Sequence, residues 1–347
     1  MTARGASVGV LALIAGLVGP DVSRAQETCH VAPEVVFSLS YGSRYVTSDA
    51  PGTEIDSKAN AAVNEALAPV DDFLRDLAQM VSAAGADPGA RCALSQIAVW
   101  ARANALEDLQ TQTANMTVGS RIASFALIAL QAGQAGQAGQ AGQNPAELAD
   151  IGAWLRRLMM RQMVFWEQAA SSGARRGNLR AWSALAGAAS AELTDDPVLR
   201  GWAAWSVQYV LCSAAPDGSL PQEMRRGKYA LRYQLHAISA LSVASALLAR
   251  RGIPLTASCD DALGRVIDFA MDDLQSGAQT AAITGQQQSY FDGSEIFKPF
   301  NFAWVEAYLT LAQGPRRDRL DRFAEPYRPL SYSKLGGNQT RMWAAGP

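Results

Sequence analysis

Apolar residues recur at three- and four-residue spacing through eight stretches of the chain: 61–81, 93–110, 121–130, 146–166, 179–193, 198–211, 229–248 and 259–274. That period lays the apolar side chains along one face of an α-helix. Alanine is abundant and the alternation that marks strands is rare. Gly and Pro punctuate the gaps, as at 85–88, 216–218 and 252–254. Successive helices of this length with short links pack as antiparallel hairpins, so the predicted class is all-α.

Three stretches depart from the pattern. Residues 37–57 are rich in Gly, Ser and Asp ahead of the first good helix, and 286–299 (QQQSYFDGSEIFKP) is loop-like. Residues 131–143 repeat a Gly-Gln-Ala triplet without charge, which cannot bury a core and predicts a flexible loop between two helices.

The first residues read as a secretory signal. Arg4 precedes an apolar run over 8–18, too short to span a bilayer, which takes about 20 residues. Small residues ending at Ala25 suit cleavage, so 1–25 is the expected signal and 26–347 a single exported, periplasmic domain. No other run is unbroken and apolar over about 18 residues, so no membrane association is expected after signal removal. A monomer is expected.

A net charge of −2 leaves no basic footprint for nucleic acid. It does not exclude an anionic polysaccharide, which needs only a local basic cleft. Four cysteines in an exported chain suggest disulfides, with three pairings open. No two cysteines are close in sequence and the histidines are His30 and His236 alone, so neither a metal site nor a cofactor is expected.

Chemistry concentrates in DGSLPQEMRRGKYALRYQLH, from Asp217 to His236. A turn at Asp217 and Gly218 leads through Pro221 into a predicted helix carrying Arg226, Tyr233 and His236. A spacing of seven places Arg226 and Tyr233 on one face, with His236 one turn further. A cation, a phenol and an imidazole on one face can hold a carboxylate and move a proton.

This stretch resembles the periplasmic alginate lyases of polysaccharide lyase family five, the poly(β-D-mannuronate) lyases, whose LPNE-type turn is followed by an Arg and, seven residues on, a Tyr. Four further segments, in the family's order, are similar to it. SRYVTSD (43–49) resembles the SKY-x-GSD lid segment. CALSQIAVWARANAL (92–106) resembles a helix containing WARA-x-AL. FAWVEAYLTL (302–311) resembles FAWLEP-x-x-x-L, and KLGGNQTR (334–341) resembles RLGGDLTR.

The resemblance implies an incomplete α/α toroid around a cleft. It also implies a Cys29–Cys92 disulfide, which leaves Cys212 with Cys259. It implies β-elimination at a 1,4-linked uronan, yielding 4,5-unsaturated ends. Such a reaction needs a neutralised C6 carboxylate, a base for the C5 proton and an acid for the departing O4. By resemblance Asn178 and Arg226 neutralise, Tyr233 carries the proton, and Tyr45 with Arg44 lies on a lid. Trp182 offers a stacking platform, and Arg341 is a further substrate contact.

One position departs. The family signature NNHSYW reads Gly177, Asn178, Leu179, Arg180, Ala181, Trp182 here, so the signature His is Leu179. Leu neither bonds nor titrates. In a β-linked mannuronate or glucuronate, the C5 hydrogen and O4 share a side, and one Tyr can serve as base and acid. In guluronate they lie on opposite sides. The expectation is therefore syn elimination on polymannuronate or a glucuronate-containing polymer, with Arg180 or His236 standing in for the lost His. The competing expectation is a catalytically impaired polyuronate-binding or export-complex protein.

Overall fold

A computed structural model describes residues 1–2, 29–49, 52–83, 87–138 and 144–344. The signal segment expected at 1–25 lies outside these residues, apart from Met1 and Thr2. The described residues are predominantly helical: α1 (Ser57–Ser82), α2 (Asp87–Arg102), α3 (Gln112–Thr117), α4 (Gly119–Ala138), α5 (Pro145–Val164), α6 (Asn178–Thr194) and α7 (Pro197–Leu211). There follow α8 (Pro221–Met224), α9 (Ala230–Arg250), α10 (Ala262–Asp273), α11 (Ala278–Thr284), α12 (Val305–Leu309), α13 (Gly314–Ala324) and α14 (Gln339–Ala344). The all-α expectation holds. The two small two-stranded pairings, Ser38–Leu39 with Asp108–Leu109 and Ser331–Tyr332 with Gly337–Asn338, tie loops to the helical body.

Local sequence explains several boundaries. Between α6 and α7 only Asp195 and Asp196 intervene. Asp195 takes a left-handed conformation (φ 51°) and Asp196 caps α7 by accepting from the Val198 and Leu199 amides. Pro197 then occupies the first turn, where its missing N–H is harmless. So short a link makes α6 and α7 antiparallel neighbours. The helix predicted over 93–110 stops at Arg102, because Asn104 and Leu106 turn left-handed and residues 106–110 pair with the segment near Leu39.

The repeat at 131–143 is a correction. Helix α4 continues through it to Ala138, and 139–143 lie outside the described residues. Ala and Gln favour helix enough to carry interspersed Gly, each of which costs about 1 kcal/mol relative to Ala.

Helix α6 is the hub and packs against α4, α7 and α9. Its AWSALAGAASA run permits close approach. A Cβ on Gly119 of α4 would lie 2.3 Å from Ser183 Oγ, and one on Gly187 3.3 Å from Ala203 Cβ. One apolar cluster runs from Leu39 to Trp343. It includes an aromatic row in which Phe73, Trp100, Phe125 and Trp154 follow one another at centroid distances of 4.6, 5.7 and 5.2 Å. The paired helices leave one side open as a deep cleft, an incomplete α/α toroid. Disulfides join Cys29 to Cys92 and Cys212 to Cys259, the pairing the resemblance implied.

Candidate active site

The cleft holds about 970 Å³. Its walls come from the lid, α1, the start of α6, the turn before α9, α9 itself, and the loops near Tyr290 and Lys334. Arg44, Tyr45, Asn178, Leu179, Trp182, Arg226, Tyr233 and His236 all line it.

Arg226 and Tyr233 meet, although they do not share one helix as expected. Helix α8 ends at Met224 and a 3-10 turn spans Gly227–Tyr229 before α9 begins at Ala230. Gly227 adopts φ +55° where a Cβ would lie 2.7 Å from Gln286 Oε1. This left-handed turn swings Arg226 back, so that its guanidinium carbon sits 4.2 Å from the Tyr233 ring centroid. No side chain caps α9 locally. The 286–299 loop does so from afar. Gln288 accepts from the Leu231 amide at 3.0 Å and donates to the Gly227 carbonyl at 3.1 Å, while Gln286 accepts from the Lys228 amide at 3.0 Å. The same loop carries Glu295, which holds Arg232 at 2.6 Å. Arg232 lies 5.8 Å from the Tyr233 ring, a second cation over the phenol.

The lid reaches this centre. Its arms pair at Tyr45 and Ile55, and the Asp49 carboxylate accepts from the amides of Thr53 and Glu54, bonds that pull its pKa below the usual range despite some opposing burial. Arg44 anchors it to α1 through Asn60 (2.9 Å) and Asn64 (3.3 Å). The Tyr45 hydroxyl is hydrogen-bonded to the Tyr233 hydroxyl, and the Tyr45 ring lies 4.5 Å from the Arg226 guanidinium. Gly52 closes over the same group, where a Cβ would sit 2.9 Å from Arg226 Nη1. Burial, and then the neighbouring Tyr233, push the Tyr45 hydroxyl above its ordinary range, so it stays protonated.

Asn178 opens α6 beside a residue the sequence reading missed. Glu223 is buried and accepts from the Asn178 amide at 2.6 Å and from Nδ2 at 2.8 Å. Gly177 makes room, since a Cβ there would lie 2.6 Å from Glu223 Oε1. The carboxylate thus takes the place of a missing N-cap at the positive end of α6. Burial still raises its pKa to about 7, against the pull of Asn178 and Arg226. Asn178 Oδ1 and Arg226 Nε are buried without hydrogen-bond partners, in two residues that line the cleft.

His236 stands 6.5 Å from Tyr233 and 4.9 Å from Trp182, ring to ring. Burial, then the charges of Lys334 and Arg232, hold its pKa well below the ordinary value, so the imidazole is neutral. Trp182 touches the cleft only at its edge: it is 2% exposed and backs His236, so it offers a sugar little surface on which to stack. Lys334 enters the cleft near these residues. Burial, then the neighbouring Arg121, lower its pKa to about 8.

Two expected contacts lie elsewhere. Arg180 is 1% exposed, bonds to Glu167 at 2.5 Å and Ser206 at 3.1 Å, and stacks under Tyr209 at 4.8 Å, so it does not reach the cleft. Its position in α6 points the side chain toward α7 rather than the site. Arg341 bonds to the Ala83 carbonyl at 3.1 Å past the end of α1 and also lies outside the cleft. No single signal in the sequence marked Glu223, Arg232 or Lys334. Arg232 adjoins Tyr233 and Lys334 opens KLGGNQTR, but only packing brings them to one place. Among the described residues no cluster of His, Cys, Asp and Glu suits a metal ion.

A cleft with cations gathered around a phenol suits elimination beside a carboxylate. Comparisons agree. The chain is 28% identical over 305 residues to a polysaccharide lyase of Stenotrophomonas maltophilia, covering 86% of each chain. It is 24% identical over 335 residues to an alginate lyase of Pseudomonas paraeruginosa, covering 94% of this chain and 88% of the other. Its fold matches that of alginate lyase A1-III from Sphingomonas species A1 with a TM-score of 0.69 at 18% identity, covering 92% and 87% of the two chains. A variant of alginate lyase A1-III in complex with a tetrasaccharide matches with a TM-score of 0.73 at 19% identity, covering 92% and 86%. The sequence model of the family described as alginate lyase matches residues 40–280, and the chain belongs to that family.

Proposed function

We propose that this polysaccharide lyase cleaves a 1,4-linked β-uronan, polymannuronate or a glucuronate-containing polymer, by syn β-elimination after export to the periplasm. The observation that carries the reading is Arg226 lying over both the Tyr45 and Tyr233 rings, in a cleft whose signature His position is Leu179.

In this mechanism Arg226, through its planar guanidinium, and Asn178 bind the C6 carboxylate. Neutralising that group makes the C5 proton acidic and supplies the largest share of the rate enhancement. The Tyr233 oxygen takes the C5 proton while facing the charges of Arg226 and Arg232. It then returns that proton to O4 on the same face as the C4–O4 bond breaks and the C4–C5 double bond forms. Tyr45 stays protonated and its hydroxyl is hydrogen-bonded to that of Tyr233 before substrate enters. Leu179 offers no second base on the opposite face. The neutral His236 is a further proton acceptor lining the cleft, so His236→Ala decides whether it shares the work.

The test is ultraviolet absorbance of the unsaturated product on polymannuronate, polyguluronate, glucuronan and hyaluronan. Product from the first or third with little from polyguluronate is expected. Efficient polyguluronate cleavage would overturn the syn mechanism. Absence of product from every polymer would favour a polyuronate-binding protein instead, the reading that Leu179 alone supports.

A further inference from the structure

A second cavity of about 640 Å³ opens on the outer side of the α8 turn, between α7 and that turn. Its lining contains Arg176, Trp205, Tyr209, Gln222 and Arg225, and no carboxylate. Trp205 is 52% exposed, a large apolar ring left open to solvent. Its ring pairs with Tyr209 at 5.5 Å and 50°, so the two form a bent aromatic wall. Arg176 and Arg225 are exposed, line the same pocket and take part in none of the ion pairs found among the described residues, which engage many of the other arginines. Arg180 supports the wall from beneath: buried and charged, it stacks under Tyr209 at 4.8 Å while bonding Glu167 and Ser206. The novelty at position 180, which had no place in the cleft, therefore belongs to the underside of this outer surface.

Exposed Trp faces bind sugar rings by apolar stacking, and unpaired guanidiniums bind carboxylates through a planar fork. A pocket with both features and no acid suits a uronate residue and repels nothing on it. We propose that this outer pocket is a secondary binding site for a uronate stretch of the polysaccharide, separate from the cleft. The proposal rests on the substrate class inferred above. The geometry adds a link: Arg226 lines the cleft, with Glu223 bonded to Asn178 beside it, while Gln222 and Arg225, from the same turn, line the outer pocket. A long chain held outside raises the local concentration of polymer at the enzyme, whereas a short oligosaccharide gains nothing.

The test is affinity electrophoresis through gels carrying polymannuronate, polyguluronate, glucuronan or neutral hydroxyethylcellulose. It compares wild type, Trp205→Ala, the double variant Arg176→Ser/Arg225→Ser, and the cleft variant Arg226→Ala. Turnover of a short uronate oligosaccharide is measured alongside. Loss of an aromatic anchor is expected to weaken retardation by uronan about fivefold to tenfold, with oligosaccharide turnover within about twofold of wild type. The arginine pair should act in the same direction, and Arg226→Ala should still be retarded. Wild-type retardation in both outer variants would overturn the proposal, as would retardation abolished by Arg226→Ala alone. Equal, Trp205-dependent retardation by the neutral polymer would overturn the uronate assignment. If no uronan yields unsaturated product while Trp205-dependent retardation persists, the lyase reading fails and the outer site stands.

Discussion

The hydroxyl of Tyr45 on the lid bonds directly to the hydroxyl of Tyr233 on α9, with Arg226 stacked on both rings. In the proposed mechanism the two phenols have different tasks. Removing the proton carrier by Tyr233→Phe should lower kcat about 10³-fold or more, in the range that general acid–base groups contribute. Tyr45→Phe removes one supporting bond and should lower kcat about tenfold, with the lid kept in place by its stacking on Arg226. Product absorbance on polymannuronate reads both. Equal losses would refute the division of labour.

Arg180 and Arg226 are both half or more shielded arginines near the start of α6, yet they should fail differently. Arg180→Met leaves Glu167 without its buried partner and should destabilise the fold by about 2 kcal/mol, near the low end for such pairs because Glu167 is 44% exposed. Its kcat per folded molecule should hold. Arg226→Ala should lower kcat/KM at least about 100-fold with a small change in Tm, because its main partners are substrate and lid. Thermal melts beside turnover separate the two.

Lys334 is expected to give substrate binding a pH limit. Its ammonium, depressed to about 8 by burial, is charged below that pH and neutral above it. KM for uronan should therefore rise as pH passes upward through about 8. Lys334→Met should show a raised KM at neutral pH and no such limb. An identical alkaline limb in the variant would assign it to another group.

Glu223 has the opposite kind of consequence, for stability. Its pKa is raised from 4.5 in the unfolded chain to about 7 in the folded protein. Between those values the folded state holds the extra proton, so stability falls as pH rises from about 4.5 to about 7. The loss is on the order of 3 kcal/mol and is absent below the unfolded value. Glu223→Gln removes this slope while keeping an acceptor for the Asn178 amide. Denaturant melts at pH 5 and pH 8 should show the difference between variant and wild type changing sharply across the interval. Parallel melts would show that Glu223 is charged throughout.

A further test concerns specificity. Leu179→His restores a titratable group on the cleft wall facing α9. It should raise polyguluronate cleavage from background while polymannuronate turnover changes less than about tenfold. No gain on polyguluronate would show that Leu179 is not what restricts the substrate.

The helical class was legible along the chain, because a 3.6-residue apolar period over eight stretches has no other packed solution. The sequence also marked Asn178, Arg226, Tyr233 and Tyr45, since their spacing and neighbours carry the family's motifs. It marked the departure at Leu179 as plainly. Tertiary structure decided what surrounds them. Glu223, Arg232 and Lys334 join the site through backbone turns and loops that no local period encodes, the left-handed Gly227 foremost. Arg180 was misplaced for the same reason. Adjacent residues on a helix diverge by about 100°, so Leu179 lines the cleft while Arg180 turns toward α7 and the outer wall. Charge type could be read along the chain. The side of the helix on which that charge would act was settled by which partners α6 packs against, and those partners lie far away in sequence.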